Sequence, residues 1–318
     1  MRSPLTLGVD IGGTFIKLGL VQESRILLQE SLPSASFPHP KALQDGMVEA
    51  IRSLIHESDR SIGAVGIGIP GLVRYPQGMV HSCVNLRGWR HVPLRRLLSR
   101  RLRLPVWVDN DVNVMTLAEW KYGAGQGAKN LVCLTLGTGV GGGLVLEGQL
   151  YRGKQGSAGE LGHIPLSEKG PRCSCGGMAC LERYVGNREI LQFVRQRLSK
   201  GVKSQIPRLI DHNLARLTPE VIDRACELGD RLAQETWEWV GTRIGLALTG
   251  VVNLLNPDRI VVGGGISKAG HWLLDPMRQT VRRRAMQGLK AVAIVPAALG
   301  SSAGLIGAAL LARQEPGR

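Results

Sequence analysis

Aromatic residues and long apolar runs are both scarce in this chain of 318 residues. Phe, Tyr and Trp together make up 4%, and none interleave with the arginines at 95–103 or 282–284, which argues against a nucleic-acid-binding platform. No stretch reaches the ~18 apolar residues of a membrane helix, and the N-terminus lacks the apolar core of a secretory signal. We therefore expect a cytoplasmic protein with no membrane or nucleic-acid partner.

Acidic residues are outnumbered, since 25 Asp and Glu face 40 Lys and Arg, for a formal net charge of +15. We interpret most of this excess as solvated helix faces, and polyanion binding remains the alternative. Cysteines are few, six in all, but three of them lie between residues 173 and 180. Because disulfides are rare in the cytoplasm, this local cluster favours a metal site.

Glycine is abundant, with 42 residues, about 13% against a usual ~7%. The glycines have no three-residue period, which excludes collagen, and the 43% hydrophobic content excludes a disordered chain. A strand–turn–strand pattern followed by a helix occurs near residue 10 and again near residue 136. This weak repeat predicts two similar α/β lobes, with a cleft near residues 109–111.

Hydrophobic periodicity predicts the individual elements. Strands are expected at residues 5–10, 64–69, 131–136 and 259–262. Helices are expected at residues 41–57, 94–102, 111–122 and 303–312, with a long helical stretch over 219–255. Residues 31–40 are the most loop-like stretch.

Three glycine patterns imitate nucleotide-binding motifs. Residues 66–71 and 137–142 both match G-x-G-x-x-G, but each continues into a strand, whereas a dinucleotide fingerprint opens a helix. Residues 148–154 resemble a phosphate-binding P-loop, but Gln155 stands where Ser or Thr must hold magnesium. We reject all three as dinucleotide or P-loop sites.

A different glycine turn is better suited to phosphate. Asp10 ends a strand, Gly12 and Gly13 allow backbone N–H groups to approach a polyphosphate, and Thr14 adds a hydroxyl. Asp10 is suited to holding Mg²⁺ through water, and Lys17 to binding a phosphate as a point charge. Residues 137–143 repeat the arrangement with Thr138, and residues 263–265 are predicted to open a helix beside the nucleotide.

Two further groups of residues carry chemistry. Asp109, Asn110 and Asp111 follow a predicted strand and precede a helix, where a carboxylate can accept a proton from a hydroxyl. A Cys₃His set has the composition of a closed tetrahedral zinc site, and its members are His163, Cys173, Cys175 and Cys180. The alternative is a group of buried thiols beside a hydrogen-bonded histidine.

Together these motifs resemble the ROK family of sugar kinases over nearly the whole chain. The resemblance rests on residues 10–17, 68–71, 110–111, 137–143, 159–163, 173–182 and 263–265. It implies an actin-like (ribonuclease H-like) ATPase fold with two α/β lobes around a cleft and a zinc-bearing loop. The implied lobes are a smaller one at residues 1–110, on which a helix within about residues 301–318 packs back, and a larger one at residues 111–300.

The resemblance also implies a role for each motif. Asp111 is the implied general base, and Asp109 is left with a turn or capping role. The implied sugar-binding residues are Gly71, Asn110, Glu160, His163 and Glu182. The implied contacts to ATP and Mg²⁺ are Asp10, Gly12, Gly13, Thr14, Lys17, Gly137, Thr138, Gly139, Gly264 and Gly265. His163 and the three cysteines hold a structural Zn²⁺ in this interpretation.

The implied reaction is ATP-dependent phosphorylation of a hexose, with D-glucose as the favoured acceptor and a homodimer as the assembly. N-acylmannosamine, allose and fructose remain alternative acceptors, and polyphosphate remains an alternative donor. A sugar-sensing regulator without catalysis is a further alternative. We expect no DNA-binding domain, because the phosphate turn begins at residue 10. The sequence departs from the family pattern at Ala179, immediately before Cys180, where the family usually has glycine.

Overall fold

The computed structural model describes residues 5–83, 86 and 88–314, so the first residues of the chain and residues 315–318 of the expected C-terminal segment lie outside it. The strands are β1 (Leu5–Ile11), β2 (Phe15–Gln22), β3 (Arg25–Pro33), β4 (Ile62–Ile69), β5 (Leu72–Arg74), β6 (Met79–Ser82), β7 (Arg90–Pro93), β8 (Val106–Asn110), β9 (Leu131–Leu136), β10 (Val140–Leu146), β11 (Gln149–Tyr151), β12 (Arg259–Gly263) and β13 (Ala293–Pro296). The helices are α1 (Pro40–Ser58), α2 (Leu94–Leu102), α3 (Asp111–Tyr122), α4 (Glu182–Val185), α5 (Asn187–Ser199), α6 (Ile206–Leu209), α7 (Pro219–Glu227), α8 (Arg231–Leu255), α9 (His271–Arg284) and α10 (Ala303–Gln314).

The contacts divide the chain into two compact units. The first comprises Met1–Gly127, Gly143–Gly159 and Ala298–Arg318, and the second comprises Ala128–Gly142 and Glu160–Ala297. This division differs from the expected boundary after residue 110. Helix α3 belongs to the first unit because it packs against α10, where the Cβ of an alanine at Gly307 would lie 1.7 Å from the carbonyl oxygen of Val114.

The first unit is built on a sheet with the strand order β3-β2-β1-β4-β8. β1, β2 and β3 are antiparallel, whereas β1, β4 and β8 are parallel. Apolar side chains are buried on both faces of the central strands, with Leu7, Val9 and Ile67 on one face and Ala64 and Trp107 on the other. Such two-sided burial is expected where helices cover both faces of parallel strands.

Helix α10 lies directly on this sheet. An added Cβ at Gly8 would lie 2.2 Å from the carbonyl oxygen of Leu305, and one at Gly66 would lie 1.8 Å from that of Ala308. No side chain larger than hydrogen fits at either strand position. Part of the glycine excess therefore serves helix–sheet packing rather than ligand binding.

Two smaller elements complete the first unit. A three-stranded antiparallel sheet has the order β5-β6-β7 and precedes α2. The part of β10 within this unit pairs with β11, with Leu144 opposite Tyr151 and Leu146 opposite Gln149. The stretch expected to be loop-like is partly regular, since β3 extends to Pro33 and a 3₁₀ turn follows at Ser34–Ser36.

The second unit contains the parallel strands β9, β12 and β13, in which β12 pairs with the other two. The long helical stretch consists of α7 and α8, which are separated at residues 228–230, where the Asp230 side chain accepts a hydrogen bond from the Ala233 N–H and caps α8. Helix α9 packs against α8 at two glycines, Gly241 and Gly245. Among the described residues, no helix combines the length and the apolar character needed to cross a bilayer.

A fully buried glutamate fixes the start of the C-terminal segment in the first unit. Glu119, on α3, accepts hydrogen bonds from the backbone N–H groups of Ala298 (3.1 Å) and Leu299 (2.8 Å). It also accepts one from the N–H of Ala124 (2.9 Å), just after α3 ends. One carboxylate thus satisfies three backbone donors that the sequence analysis did not connect with it.

We expect Glu119→Ala to lower the free energy of unfolding by about 3 kcal/mol or more, because buried donors are left without an acceptor. Denaturant unfolding followed by circular dichroism measures the change. Glu49→Ala, at an exposed position of α1, is the control and should change stability by less than about 0.5 kcal/mol. A loss below about 1 kcal/mol at Glu119 would contradict the structural role given to its carboxylate.

Candidate functional site

In the first unit, Gly12, Gly13 and Thr14 form the turn between β1 and β2. The Gly12 N–H donates to the Phe15 carbonyl at 2.9 Å, and the Ser34 hydroxyl donates to the Gly12 carbonyl at 2.8 Å. Gly13 and Thr14 are exposed, and an added Cβ at Gly13 would meet no atom within 4 Å. The tip of the turn is therefore open to a ligand while its base is held by hydrogen bonds.

Asp10 and Lys17 lie opposite each other in the β1–β2 register. Burial raises the pKa of the Asp10 carboxyl, and the positive charge of Lys17 opposes that rise. The Lys17 ammonium donates to the Ser301 carbonyl at 3.1 Å. An added Cβ at Gly304 would lie 2.3 Å from an Asp10 oxygen, so this carboxylate lies at the first turn of α10, where the helix dipole favours an anion.

Ser301 and Gly304 are neighbours of this turn that no local sequence pattern indicates. They lie almost 300 residues from Asp10 in the chain and reach it only because α10 packs on β1. A glycine at the second position of an apolar helix carries no specific signal by itself, because glycine is common near helix ends.

The second predicted phosphate turn lies in the second unit, between β9 and β10. The Gly137 N–H donates to the Gly139 carbonyl at 3.0 Å, and the Asn187 N–H donates to the Gly137 carbonyl at 3.0 Å. Thr138 at the tip is exposed. As in the first turn, backbone hydrogen bonds fix the residues that flank the tip, and a threonine hydroxyl at the tip is accessible.

Gly264 requires glycine for two reasons. Its φ is +90°, and an added Cβ would lie 2.2 Å from the carbonyl oxygen of Leu136. The expectation that this segment opens a helix needs correction, because Gly265–Ala269 forms a 3₁₀ helix and α9 begins only at His271. The 3₁₀ turn is closed by the Ser267 hydroxyl, which donates to the Gly264 carbonyl at 2.7 Å.

In the first unit, Asn110 and Asp111 form the junction between β8 and α3. The Asn110 side-chain oxygen caps α3 by accepting from the N–H groups of Val112 (2.8 Å) and Asn113 (3.2 Å). Its amide donates to the Gly71 carbonyl at 3.1 Å, and Gly71 has a φ of +106°. Asp111 is the first residue of the helix, is half-buried, and accepts from the Val112 N–H at 3.0 Å.

Asp109 does more than the turn or capping role expected for it. Its side chain is fully buried and accepts from the Arg152 Nε at 2.7 Å. Its other oxygen accepts from the Asn110 N–H at 2.8 Å and the Asn113 amide at 2.9 Å. Arg152 was not predicted as a partner of Asp109, because a single arginine after a hairpin has no distinguishing sequence pattern.

In the second unit, the structure brings the predicted Cys₃His set together. The side-chain ligand atoms of all four residues lie within 4.8 Å of one another, and the set consists of His163, Cys173, Cys175 and Cys180. The sulfurs of Cys175 and Cys180 are 3.7 Å apart, and the sulfur of Cys173 is 3.6 Å from Nδ1 of His163. A tetrahedral ion with metal–sulfur bonds of about 2.3 Å places its ligand atoms about 3.5–3.8 Å apart, so the set fits such an ion.

The chemistry of the thiols also fits a cation. Burial and the neighbouring cysteines raise the pKa of Cys180 to about 12, so this thiol is protonated at neutral pH when no cation is bound. The pKa of Cys175 is lowered, mainly by a backbone hydrogen bond from Gly177. Metal binding would deprotonate the coordinating thiols and remove the mutual repulsion of closely packed thiolates.

The two ring nitrogens of His163 face different partners. Nδ1 is directed at Cys173, whereas Nε2 lies 3.8 Å from a carboxylate oxygen of Glu160. With a metal on Nδ1, the neutral ring carries its proton on Nε2 and becomes a hydrogen-bond donor toward any substrate.

Glu160 and Glu182 differ in how much of their hydrogen-bonding capacity is already used. Oε2 of Glu182 accepts from the Val140 N–H at 2.9 Å, which ties this carboxylate to the end of the glycine turn. Glu160 is half-exposed, and its pKa is raised overall. Partial burial is the main cause; the positive charge of His163 opposes the rise, and the negative charge of Glu182 adds to it. Glu160 is thus the freer of the two acceptors.

Ala179, beside the last cysteine, has a φ of +54° and is fully buried. This is the left-handed conformation in which Ala is strained relative to Gly by about 1 kcal/mol or more. The neighbouring Leu166 N–H donates to its carbonyl at 2.9 Å, and its own N–H donates to the Pro171 carbonyl at 2.9 Å. The cysteine loop therefore keeps its hydrogen bonds despite the unusual residue.

Comparisons with known proteins extend over nearly the whole chain. The model of the ROK family matches residues 6–315. A glucokinase of Halalkalibacterium halodurans is 35% identical over 315 residues, which cover 97% of this chain and 95% of that protein. A xylose repressor of Caldicellulosiruptor bescii is 28% identical over 87% of this chain and 70% of the repressor.

Among solved structures, a ROK family glucokinase of Streptomyces griseus in complex with glucose and AMPPNP is similar, with a TM-score of 0.84. It is 36% identical, and the match covers 98% of this chain and 100% of that one. The likeness confirms the predicted fold class, an actin-like α/β ATPase fold.

We expect Ala179→Gly to change the free energy of unfolding by less than about 1 kcal/mol. Relief of strain gains about 1–2 kcal/mol, but the buried methyl is worth about 0.8 and the freer unfolded chain costs about 0.4–1. Ala233→Gly is the control, since Ala233 is equally buried but lies inside α8, and it should lose about 2 kcal/mol. Equal losses in the two variants, measured by denaturant unfolding, would show that residue 179 is unstrained.

Proposed function

The chain belongs to the ROK family, and on that basis we propose that it is a sugar kinase that transfers the γ-phosphoryl group of ATP to a hexose, D-glucose being the preferred acceptor. The observation that carries the proposal is the full-length similarity to a glucokinase in complex with glucose and AMPPNP, together with an acidic residue, Asp111, at the start of α3. The acceptor hydroxyl in this proposal is that on C6 of glucose.

Asp111 is the proposed general base. A kinase needs one carboxylate to accept the proton of the attacking hydroxyl, while positioning and electrostatic stabilisation do most of the remaining work. Asp111 is half-buried and is held at a helix start by the cap of Asn110, so its direction is defined by the backbone. Asp109 does not suit this role, because it is fully buried and already paired with Arg152.

The two glycine turns and Gly264–Gly265 bind ATP in this proposal. Backbone N–H groups and the hydroxyls of Thr14 and Thr138 donate to phosphate oxygens, and Lys17 adds a positive charge. Asp10 would hold Mg²⁺ through a bound water, and the ion would supply positive charge to neutralise the β- and γ-phosphates. The location of Asp10 at the end of β1, opposite Lys17 and next to the glycine turn, supports this assignment.

The sugar-binding residues are proposed to be Gly71, Asn110, Glu160, His163 and Glu182. Glu160 and the remaining lone pairs of Glu182 accept from hydroxyls, whereas Nε2 of His163 donates. Asn110 contributes the amide hydrogen that is not used by the Gly71 carbonyl. These donors and acceptors suit any hexose with similarly placed hydroxyls. The proposal of glucose therefore rests on the similarity of the chain to glucokinases.

The Cys₃His set holds a structural Zn²⁺ in this proposal. The composition and the ligand distances match a closed tetrahedral site, which has no open position for catalysis. Its contribution would be to fix the segment that carries Glu160, His163 and Glu182.

The main alternative is a sugar-sensing regulator without catalysis, and the similarity to a xylose repressor is the observation that favours it. The presence of Asp111 and Asp10 favours the kinase, because a regulator without catalysis needs neither a general base nor a magnesium-binding carboxylate. N-acylmannosamine, allose and fructose are alternative acceptors within the kinase proposal, and polyphosphate is an alternative donor.

A coupled assay of ADP release across a hexose panel tests the kinase proposal. We expect turnover with glucose and ATP, and a loss of about 10²–10⁴-fold in kcat in Asp111→Asn, because the amide cannot accept the proton. Asp45→Asn, at an exposed ion pair of α1, is the isosteric control and should retain full kcat. An arm with polyphosphate, read as glucose 6-phosphate, separates the two donors.

Near-normal turnover in Asp111→Asn would refute the assignment of the base. No turnover of any hexose by the unmodified protein, combined with salt-dependent DNA binding, would favour the regulator.

We expect about one zinc per chain by elemental analysis, and loss of that zinc in Cys175→Ser with a thermal midpoint several degrees lower. Ser174→Ala, which changes an exposed neighbour between two ligands, is the control and should keep both zinc and stability. Zinc-free protein with an unchanged midpoint would contradict a structural metal at this loop.

A further inference from the structure

One fully buried carboxylate in the first unit has no part in the proposed reaction. Asp109 has no solvent-exposed surface, yet it lies immediately before Asn110 and Asp111 on β8. An isolated ionised carboxylate in such a position is costly, so its partners must offset the loss of hydration. Those partners determine what the residue does.

Arg152 supplies the compensating charge. Its Nε lies 2.7 Å from Oδ2 of Asp109, and its side chain is only 20% exposed. The guanidinium carbon lies 3.7 Å from the ring centroid of Tyr75, so the planar group is stacked as well as hydrogen-bonded. The Arg152 carbonyl accepts from the Ala158 N–H at 3.0 Å, which fixes the backbone that carries the side chain.

The second oxygen of Asp109 reaches the start of α3. Oδ1 accepts from the Asn110 N–H at 2.8 Å and from the Asn113 side-chain amide at 2.9 Å. Asn110 in turn caps the helix through Val112 and Asn113. These hydrogen bonds connect the two residues before Asp111, Asp109 and Asn110, with the two residues after it, Val112 and Asn113.

We propose that Arg152 is a positioning residue for phosphoryl transfer, which fixes the carboxylate of Asp109 and, through it, the first turn of α3 that carries Asp111. The inference rests on the proposed function, because the reaction defines what Asp111 does. Arg152 itself touches neither sugar nor nucleotide in this proposal.

The physical reason lies in the two oxygens of one carboxylate. The Arg152 guanidinium, which is itself stacked on Tyr75, donates to Oδ2 and fixes the plane of the carboxylate. Oδ1 therefore remains directed at the Asn110 N–H and the Asn113 amide at the start of α3. Without Arg152 the buried carboxylate keeps its two neutral donors but has no charged partner, so it must take up a proton or turn toward water. Either change loosens the residues that flank Asp111.

The experiment compares Arg152→Gln, Asp109→Asn and the double variant in the coupled assay. Each is measured well below its thermal midpoint, and rates are expressed per folded chain. We expect each single variant to lower kcat at least tenfold while KM for ATP changes less than threefold. In the double variant, the loss should be no larger than that of the more affected single variant, because both residues act through one set of hydrogen bonds.

Arg95→Gln is the matched control. Arg95 stacks on Trp107 with its guanidinium carbon 3.7 Å from the ring, and it donates to the Pro76 carbonyl. Its loss removes a comparable arginine–aromatic contact of the same unit, so kcat should stay within twofold. A purely structural role for Arg152 would give the same small change in both variants, and that result would overturn the proposal.

Two further results would also overturn it. Multiplicative losses in the double variant would show that Arg152 acts independently of Asp109. If Arg152→Gln does not fold, Arg152→Lys keeps the charge without the planar stacked fork, and wild-type kcat in that folded variant would refute positioning by the guanidinium.

Hydrogen exchange separates this proposal from the proposed function. The amides of residues 110–113 should exchange at least tenfold faster in Arg152→Gln and unchanged in Arg95→Gln, whether or not the protein phosphorylates a sugar. Absence of turnover in the unmodified protein, together with faster exchange at these amides in Arg152→Gln, would refute the kinase proposal but leave intact the finding that Arg152 orders the start of α3. Unchanged exchange at these amides would refute the role of Arg152 alone.

Discussion

The direct contact between α10 and the sheet of the first unit is the constraint on which much of that unit depends. It exists because Gly8 and Gly66 carry no side chain where the backbone of α10 approaches the strands. The same helix brings its first turn to Asp10, and its approach segment is held by Glu119 of α3. A hydrophobic core alone would define these distances less closely, because a core accepts many combinations of apolar side chains of similar volume, whereas backbone contact at a glycine admits no side chain.

The polar groups of the candidate site are shared between structure and function. Asn110 caps a helix with one atom and holds Gly71 with another, and Glu182 binds the backbone of a glycine turn with one oxygen. His163 divides its two nitrogens between the cysteine cluster and Glu160. In each case the bond to the protein fixes the direction of the remaining donor or acceptor. Orientation of this kind is obtained before any ligand binds, which lowers the entropic cost of binding.

Local signals were sufficient for most elements. Helices α2 and α3 and strand β9 begin and end at the residues expected from the pattern, because helix period, caps and apolar runs are encoded within a few neighbouring residues. The Cys₃His set was also predicted, since ligands within 18 residues of one another can meet through a single loop. The replacement of the usual glycine by Ala179 was visible in the sequence, whereas its left-handed backbone is a finding of the structure.

The sequence by itself determined the fold class and the family, and it pointed to the acidic, glycine and cysteine positions for which a chemical role is proposed. The tertiary structure decided which distant residues complete them: Arg152 beside Asp109, Glu119 beside Ala298, and Gly304 beside Asp10. It also assigned α3 to the first compact unit. The reason is that charge pairing and close packing depend on distances in space between residues 40 to 300 positions apart, and no periodicity or local motif records such distances.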